Sequence, residues 1–253
     1  MKRKSVRLTL TLSSLLLIFS ASFSVELVSS EPAKRTVGVR IGDVVKYGDF
    51  LSFWASNRPS ATVPQDLIDA NNTVWIANTI LDVAGTTVTY QTLTRYENGT
   101  ETSDIGQIDV ETGDGNGTLT FVSAALTAGD KVYTLGELSV ARMNSTFPRA
   151  YLGQTRETNL LNVTHYSFVS VDSRSVTQSV FLWNKATGVL VEQRWAFADF
   201  EGDYLTMASV EYKIVDTTIW VDDPDAEPPD MRVFVIVIFG VLLLAGWYFF
   251  RRR

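Results

Sequence analysis

Five asparagines stand two residues before a threonine: Asn71, Asn98, Asn116, Asn144 and Asn162. An asparagine so placed takes a glycan on its amide nitrogen, chemistry that belongs to exported chains. Five such sites among ten asparagines exceed what composition alone delivers. Most fall in Gly- or Asn-rich turns or near the ends of strand-like runs, where a bulky surface group fits. A Thr-rich β chain also generates the motif by composition, so the five are glycan-acceptor candidates.

Catalytic chemistry has few residues to draw on. His165 is the one histidine and cysteine is absent, which removes histidine-pair metal sites, thiol nucleophiles and most hydrolytic triads. His165 falls in a strand-like stretch, 161–169, and reads as a packed or surface residue. No serine sits in a nucleophile elbow, and no phosphate-cradling glycine loop opens a helix. Residues 109–118, which include Asp109, Glu111, Asp114 and Asn116, superficially resemble a calcium loop. The pattern fails at Gly113, where the third ligand belongs, and no glutamate closes it. A glycan-bearing hairpin turn is the better reading. Neither a metal nor a cofactor is expected. A carboxylate pair assembled in space leaves no linear motif, so a glycan-active hydrolase stays open.

Trp54, Trp75, Trp183, Trp195 and Trp220 lie between the two ends of the chain. In a β domain without disulfides such rings are core before they are groove. Trp220, just ahead of an acidic stretch, is the candidate for an exposed role.

The elements that must position these residues read as strands. Residues 88–96 alternate Val88, Tyr90, Thr92, Thr94 and Tyr96 against their neighbours, a period of two. Residues 73–83 form a second run, with Ala84, Gly85 and Thr86 as the connecting turn. Residues 176–183 and 189–197 flank a turn at 184–188 that ends on Gly188. Residues 204–214 make another alternating face. Only 64–70 looks helical, with Pro64 in its first turn. Gly42-Asp43-Val44-Val45-Lys46-Tyr47 echoes in Gly129-Asp130-Lys131-Val132-Tyr133; common turn chemistry accounts for the echo better than a duplication.

The ends place the domain. Lys2, Arg3, Lys4 and Arg7 precede an apolar stretch and small residues at Ser22 and Ser24, the pattern of a secretory signal over 1–24. Residues 233–250 are eighteen apolar residues followed by three arginines, enough to span a bilayer with the arginines on the cytoplasmic side. The expected order is signal peptide 1–24, extracytoplasmic β domain 25–221, acidic Pro-rich stalk 222–230, transmembrane helix 231–250 and cytoplasmic tail 251–253. Eight of the 22 basic residues lie in the two ends and all 28 acidic residues lie between them, so the exported part carries fourteen net negative charges. Such a surface repels phosphate backbones and excludes nucleic acid as a partner. Without cysteine, the domain must rest on a hydrophobic core, which about 200 residues suffice to build.

Residues 37–47, 128–133 and 182–192 resemble those of uncharacterised archaeal membrane-anchored surface proteins. The 182–192 hairpin is also similar to hairpins of the lipoprotein-carrier half-barrel fold, a curved antiparallel sheet that cradles an acyl chain. The first resemblance implies a surface protein without a defined activity, and the second implies only a fold. The expectation is a mainly β, antiparallel extracytoplasmic domain, either a curved sheet (half-barrel) or a sandwich. Its leading function is a non-catalytic cell-surface module that binds an envelope glycan, lipid or surface protein. A tethered carrier for an apolar, lipid-like ligand is the alternative.

Overall fold

A computed structural model describes residues 34–170 and 173–220. The chain runs β1 (Val44–Ser56), α1 (Gln65–Asn72), β2 (Thr73–Ala84), β3 (Thr87–Tyr96), β4 (Glu101–Asp109), a 3-10 turn (Glu137–Val140), β5 (Ser145–Tyr151), β6 (Gln154–Ser170), β7 (Ser173–Asn184), β8 (Leu190–Glu201) and β9 (Tyr204–Thr217). All nine strands belong to one sheet in the order β4-β3-β2-β1-β9-β8-β7-β6-β5. Every pairing is antiparallel. The mainly β, antiparallel expectation holds. The sandwich does not: among the described residues there is a single open sheet.

The topology is two meanders, β1 to β4 and β5 to β9, joined where the first strand pairs with the last. Hairpins follow the alternating runs closely, because each strand packs one face and wets the other. The β2–β3 turn is built at Gly85, which adopts φ +63°. Pro64 stands at the N-cap of α1 rather than in its first turn, and the helix runs on to Asn72. Among the described residues no helix is long and apolar enough to cross a membrane. The expected signal, stalk, anchor and tail lie outside the described residues.

Alternation and register define two sheet faces. One face carries Val45, Tyr47, Ile80, Tyr90, Ile108, Leu161 and Trp183, all buried. Its second layer is not a sheet but the long β4–β5 connection, which contributes buried Val110, Phe121, Val122, Leu126, Val132, Tyr133 and Met143. The connection is pinned by backbone bonds from Val122 N to Gly188 O and from Leu190 N to Thr120 O, at 2.9 and 2.8 Å. Trp183 adds its indole N–H to Leu119 O at 3.0 Å. Loops this long within a compact domain are uncommon unless they are themselves packed.

The Gly-Asp echo is one turn used twice. Asp43 Oδ2 accepts Arg40 N, and Asp130 Oδ2 accepts Thr127 N, each at 2.7 Å. Gly42 and Gly129 follow the same positive φ, +88° and +90°. The first turn opens strand β1, whereas the second lies within the β4–β5 connection and opens no named strand.

Candidate functional site

The residues singled out by sequence do not converge. His165 stands exposed on β6 opposite Thr177. Asp109 serves its own turn: Oδ1 accepts Glu111 N at 2.8 Å and Thr112 N at 3.1 Å, while Oδ2 accepts the Thr86 hydroxyl. Among the described residues no three acidic or histidine side chains come together. Trp183 and Trp220 are buried, and Trp54, Trp75 and Trp195 are half-buried. Trp220 corrects the expectation of an exposed ring: it is 7% exposed, with the Arg156 guanidinium 4.4 Å over its face. All five glycan-acceptor candidates, Asn71, Asn98, Asn116, Asn144 and Asn162, are exposed.

Sequence reasoning missed a charged cluster on the other sheet face. Glu192 on β8 is only 1% exposed. Its Oε2 meets Arg149 at 2.8 Å and accepts the Tyr151 hydroxyl at 3.1 Å, and its Oε1 pairs with Arg194. Arg194 Nε also reaches Glu211 at 3.3 Å. Burial, reinforced by the Glu192 charge, pushes the Tyr151 hydroxyl well above its ordinary range. Burial likewise raises the Glu211 carboxyl, which the nearby Arg194 opposes. Two guanidiniums and a phenol already hold Glu192, and at 1% exposure it offers a substrate no open approach. Its chemistry is that of a clamp.

A second place joins two carboxylates in one cavity. Asp69, Asn72, Tyr96, Glu97, Asn98 and Thr100 line an open cleft of about 420 Å³. Asp69 and Glu97 are both exposed, and Asp69 Oδ1 accepts Gln65 Nε2 at 2.8 Å. Acid–base catalysis on a glycosidic bond needs one carboxyl kept neutral by an apolar wall. Water solvates both of these.

The third place is apolar. Register aligns Tyr166, Val176, Ala198, Met207 and Ala55 across β6-β7-β8-β9-β1, and Phe168, Arg174, Phe200 and Leu205 in the next row. These rows lie on the same face as Glu192, near the β6–β7 and β8–β9 turns. Tyr166 and Phe168 are 62% and 72% exposed, with near-parallel rings 6.4 Å apart. Arg174, itself exposed, sits 5.0 Å over the Phe200 ring. The rows leave a shallow groove of about 230 Å³ between Tyr166, Phe168, Arg174, Ser175, Val176 and Phe200. Sequence reasoning placed Tyr166 and Phe168 within the strand-like stretch 161–169 and did not single out this face.

No protein-family model matches the chain, and no curated protein matches it in sequence.

Proposed function

We propose that this chain is an exported, membrane-anchored binding module without catalytic activity, and that its recognition surface is the apolar pair of rows around Tyr166, Phe168 and Phe200. The exposed aromatic rows carry this reading, because soluble monomers rarely leave large rings so open without a partner. Arg174 adds a cationic point in a chain with an acidic surplus, so the partner presents apolar surface with an anionic group beside it. The buried, ion-paired Glu192 and the exposed Asp69 and Glu97 speak for binding rather than turnover.

Position agrees with that role. β9 enters at Tyr204 beside the rows and leaves at Thr217 toward the expected stalk. The rows cross β9 at Met207 and Leu205, about 33–40 Å of strand from Thr217, the end nearer in sequence to the expected stalk.

A tethered carrier for an apolar ligand is the second reading, favoured by one observation. Arg149 on β5 touches Glu192 on β8 across two intervening strands, so the sheet curls over the face that holds the rows, as a half-barrel does. The groove of about 230 Å³ falls below the 300–1,000 Å³ of enclosed small-ligand pockets, which leaves surface recognition ahead.

The test is binding by the full chain in lipid nanodiscs, wild type against a Tyr166→Ser/Phe168→Ser variant. Probes are isolated envelope polysaccharide, a purified envelope surface protein and a fluorescent fatty acid. Binding of polysaccharide or protein lost in the variant supports the module. Saturable fatty-acid binding moves the assignment to the carrier, and bond cleavage overturns both.

A further inference from the structure

The five Asn-x-Thr asparagines differ in how their amides are held. Four use the oxygen alone. Asn98 Oδ1 accepts Thr100 N at 2.9 Å and the Thr100 hydroxyl at 2.7 Å. Asn144 Oδ1 accepts the backbone N–H of Asn162 at 2.6 Å. Asn71 Oδ1 accepts the Ser52 hydroxyl at 3.2 Å, and Asn162 Oδ1 accepts Gln178 Nε2 at 3.1 Å. Backbone donors settle the amide orientation at Asn98 and Asn144, since only oxygen can meet an N–H. In each case the nitrogen is turned from the anchoring contact, on an exposed residue.

Asn116 is held at both ends. Its Oδ1 accepts Gln107 N at 2.9 Å, and its Nδ2 donates to Ile105 O at 3.2 Å. Both partners lie on β4, the terminal strand of the sheet. Gly117 N to Gln107 O and Asp109 N to Asp114 O, at 2.9 and 2.8 Å, continue the same contact. The Asn116 side chain thus fills a rung of backbone pairing and covers an edge that would otherwise recruit another strand.

An amide is planar, so oxygen and nitrogen can bond neighbouring atoms of one strand edge only through the hydrogen on the oxygen's side. A glycosylated asparagine is a secondary amide, and its trans form puts the sugar carbon in that hydrogen's place; the cis form is strongly disfavoured. Glycosylation of Asn116 and closure of the β4 edge therefore exclude each other.

We infer that Asn71, Asn98, Asn144 and Asn162 are the glycan acceptors and that Asn116 is an edge clamp that stays unmodified. The acceptor half rests on the exported reading; the clamp half does not. In the transfer, the asparagine nitrogen bonds the anomeric carbon of a lipid-phosphate-linked oligosaccharide. The bond from that carbon to the phosphate oxygen breaks, and the amide proton leaves with the released lipid phosphate.

The experiment is glycopeptide mass mapping of the full chain from its own cells, with external protease applied to intact cells in parallel. Glycan on the four sites and a bare Asn116 are expected. Glycan on Asn116 overturns the clamp. Four bare sites on a protease-accessible domain overturn the acceptor assignment alone, whereas four bare sites on a protected domain overturn the exported reading beneath it. Asn116→Ala is expected to lower the melting temperature of the full chain by about 5 °C, well beyond the effect of Asn162→Ala, whose amide oxygen accepts only from the Gln178 side chain. Equal melting temperatures would likewise overturn the clamp.

Discussion

Arg149 on β5 and Glu192 on β8 meet at 2.8 Å although β6 and β7 lie between their strands. Three strand spacings and the four-residue offset between Arg156 and Leu160, which mark their positions along β6, put them about 19 Å apart in a flat sheet, more than the two side chains bridge lying in its plane. The terminal strand must therefore curl inward, and the ion pair with its Tyr151 bond ties it there. Arg149→Met should cost about 2 kcal/mol in urea unfolding, because a nearly buried carboxylate loses one partner and keeps Arg194. Combining it with Glu192→Gln should give a coupling energy above about 0.5 kcal/mol. Amide exchange in β5 should quicken in Arg149→Met before the rest of the sheet responds. Strict additivity would mean that the clamp does not hold the curl.

Alkaline pH should unfold the domain through three buried tyrosines. Tyr47 donates to Leu190 O at 3.0 Å, Tyr133 to Phe121 O at 2.8 Å and Tyr151 to Glu192 at 3.1 Å. Burial, aided by neighbouring tyrosines at Tyr47 and Tyr133 and by the Glu192 charge at Tyr151, raises all three hydroxyls above their usual range. A raised folded value means that the native state keeps a proton which the unfolded chain loses near pH 10. This contribution is intact below about pH 10 and declines as pH rises beyond it, at up to about 4 kcal/mol per pH unit for the three together. Tyrosinate absorbance should show a component that appears only with loss of the near-ultraviolet circular dichroism. Full ionisation while the fold persists would refute it.

The strands were legible because alternation survives wherever one sheet face packs and the other meets water. Residues 73–83, 88–96, 176–183 and 204–214 fall within strands of the sheet, as does 189–197 apart from Val189, which forms an isolated bridge to Phe121. The β4–β5 connection was not. Phe121, Leu126, Val132 and Met143 are buried from irregular backbone, and irregular backbone has no period to detect. Glu192 was hidden for a different reason. A charged residue in an alternating run reads as solvent-facing, and its burial comes from the inward curl of β5. Trp220 read as exposed because acidic residues follow it, yet Arg156 stacks on its ring. The aromatic rows needed strand register: five strands contribute to them, and no segment carries more than two of the exposed rings.

Two glycines separate backbone strain from collision. Gly188 ends the β7–β8 turn at φ +69°, and a Cβ there would lie 2.0 Å from Val122 O, part of the packed connection. Gly85 has a similar φ of +63° and nothing within 4 Å. Gly85→Ala should cost about 1–2 kcal/mol from the left-handed conformation alone. Gly188→Ala adds a clash with fixed backbone and should cost more than about 3 kcal/mol. Thermal melts of both variants check the gap. Equal costs would show that the β4–β5 connection yields at Val122 and is not a rigid second layer.

Phe168 gives the sharpest separation of stability from recognition. It is the most exposed of the aromatic rings in the rows, at 72%, so its folded environment differs little from that of the unfolded chain. Phe168→Ser should change stability by no more than about 0.5 kcal/mol. If the rows are a binding surface, the same change should weaken the envelope ligand by tenfold or more, since exposed aromatics at the centre of a contact carry a large share of its energy. Arg174→Gln should act differently. It removes a cation and leaves the apolar area, so binding should weaken mainly at low salt and converge on wild type as ionic strength screens the charge. Parallel unfolding and binding measurements on the two variants decide the matter. A Phe168→Ser protein that unfolds readily while binding normally would assign the ring to packing and remove the rows as the recognition surface.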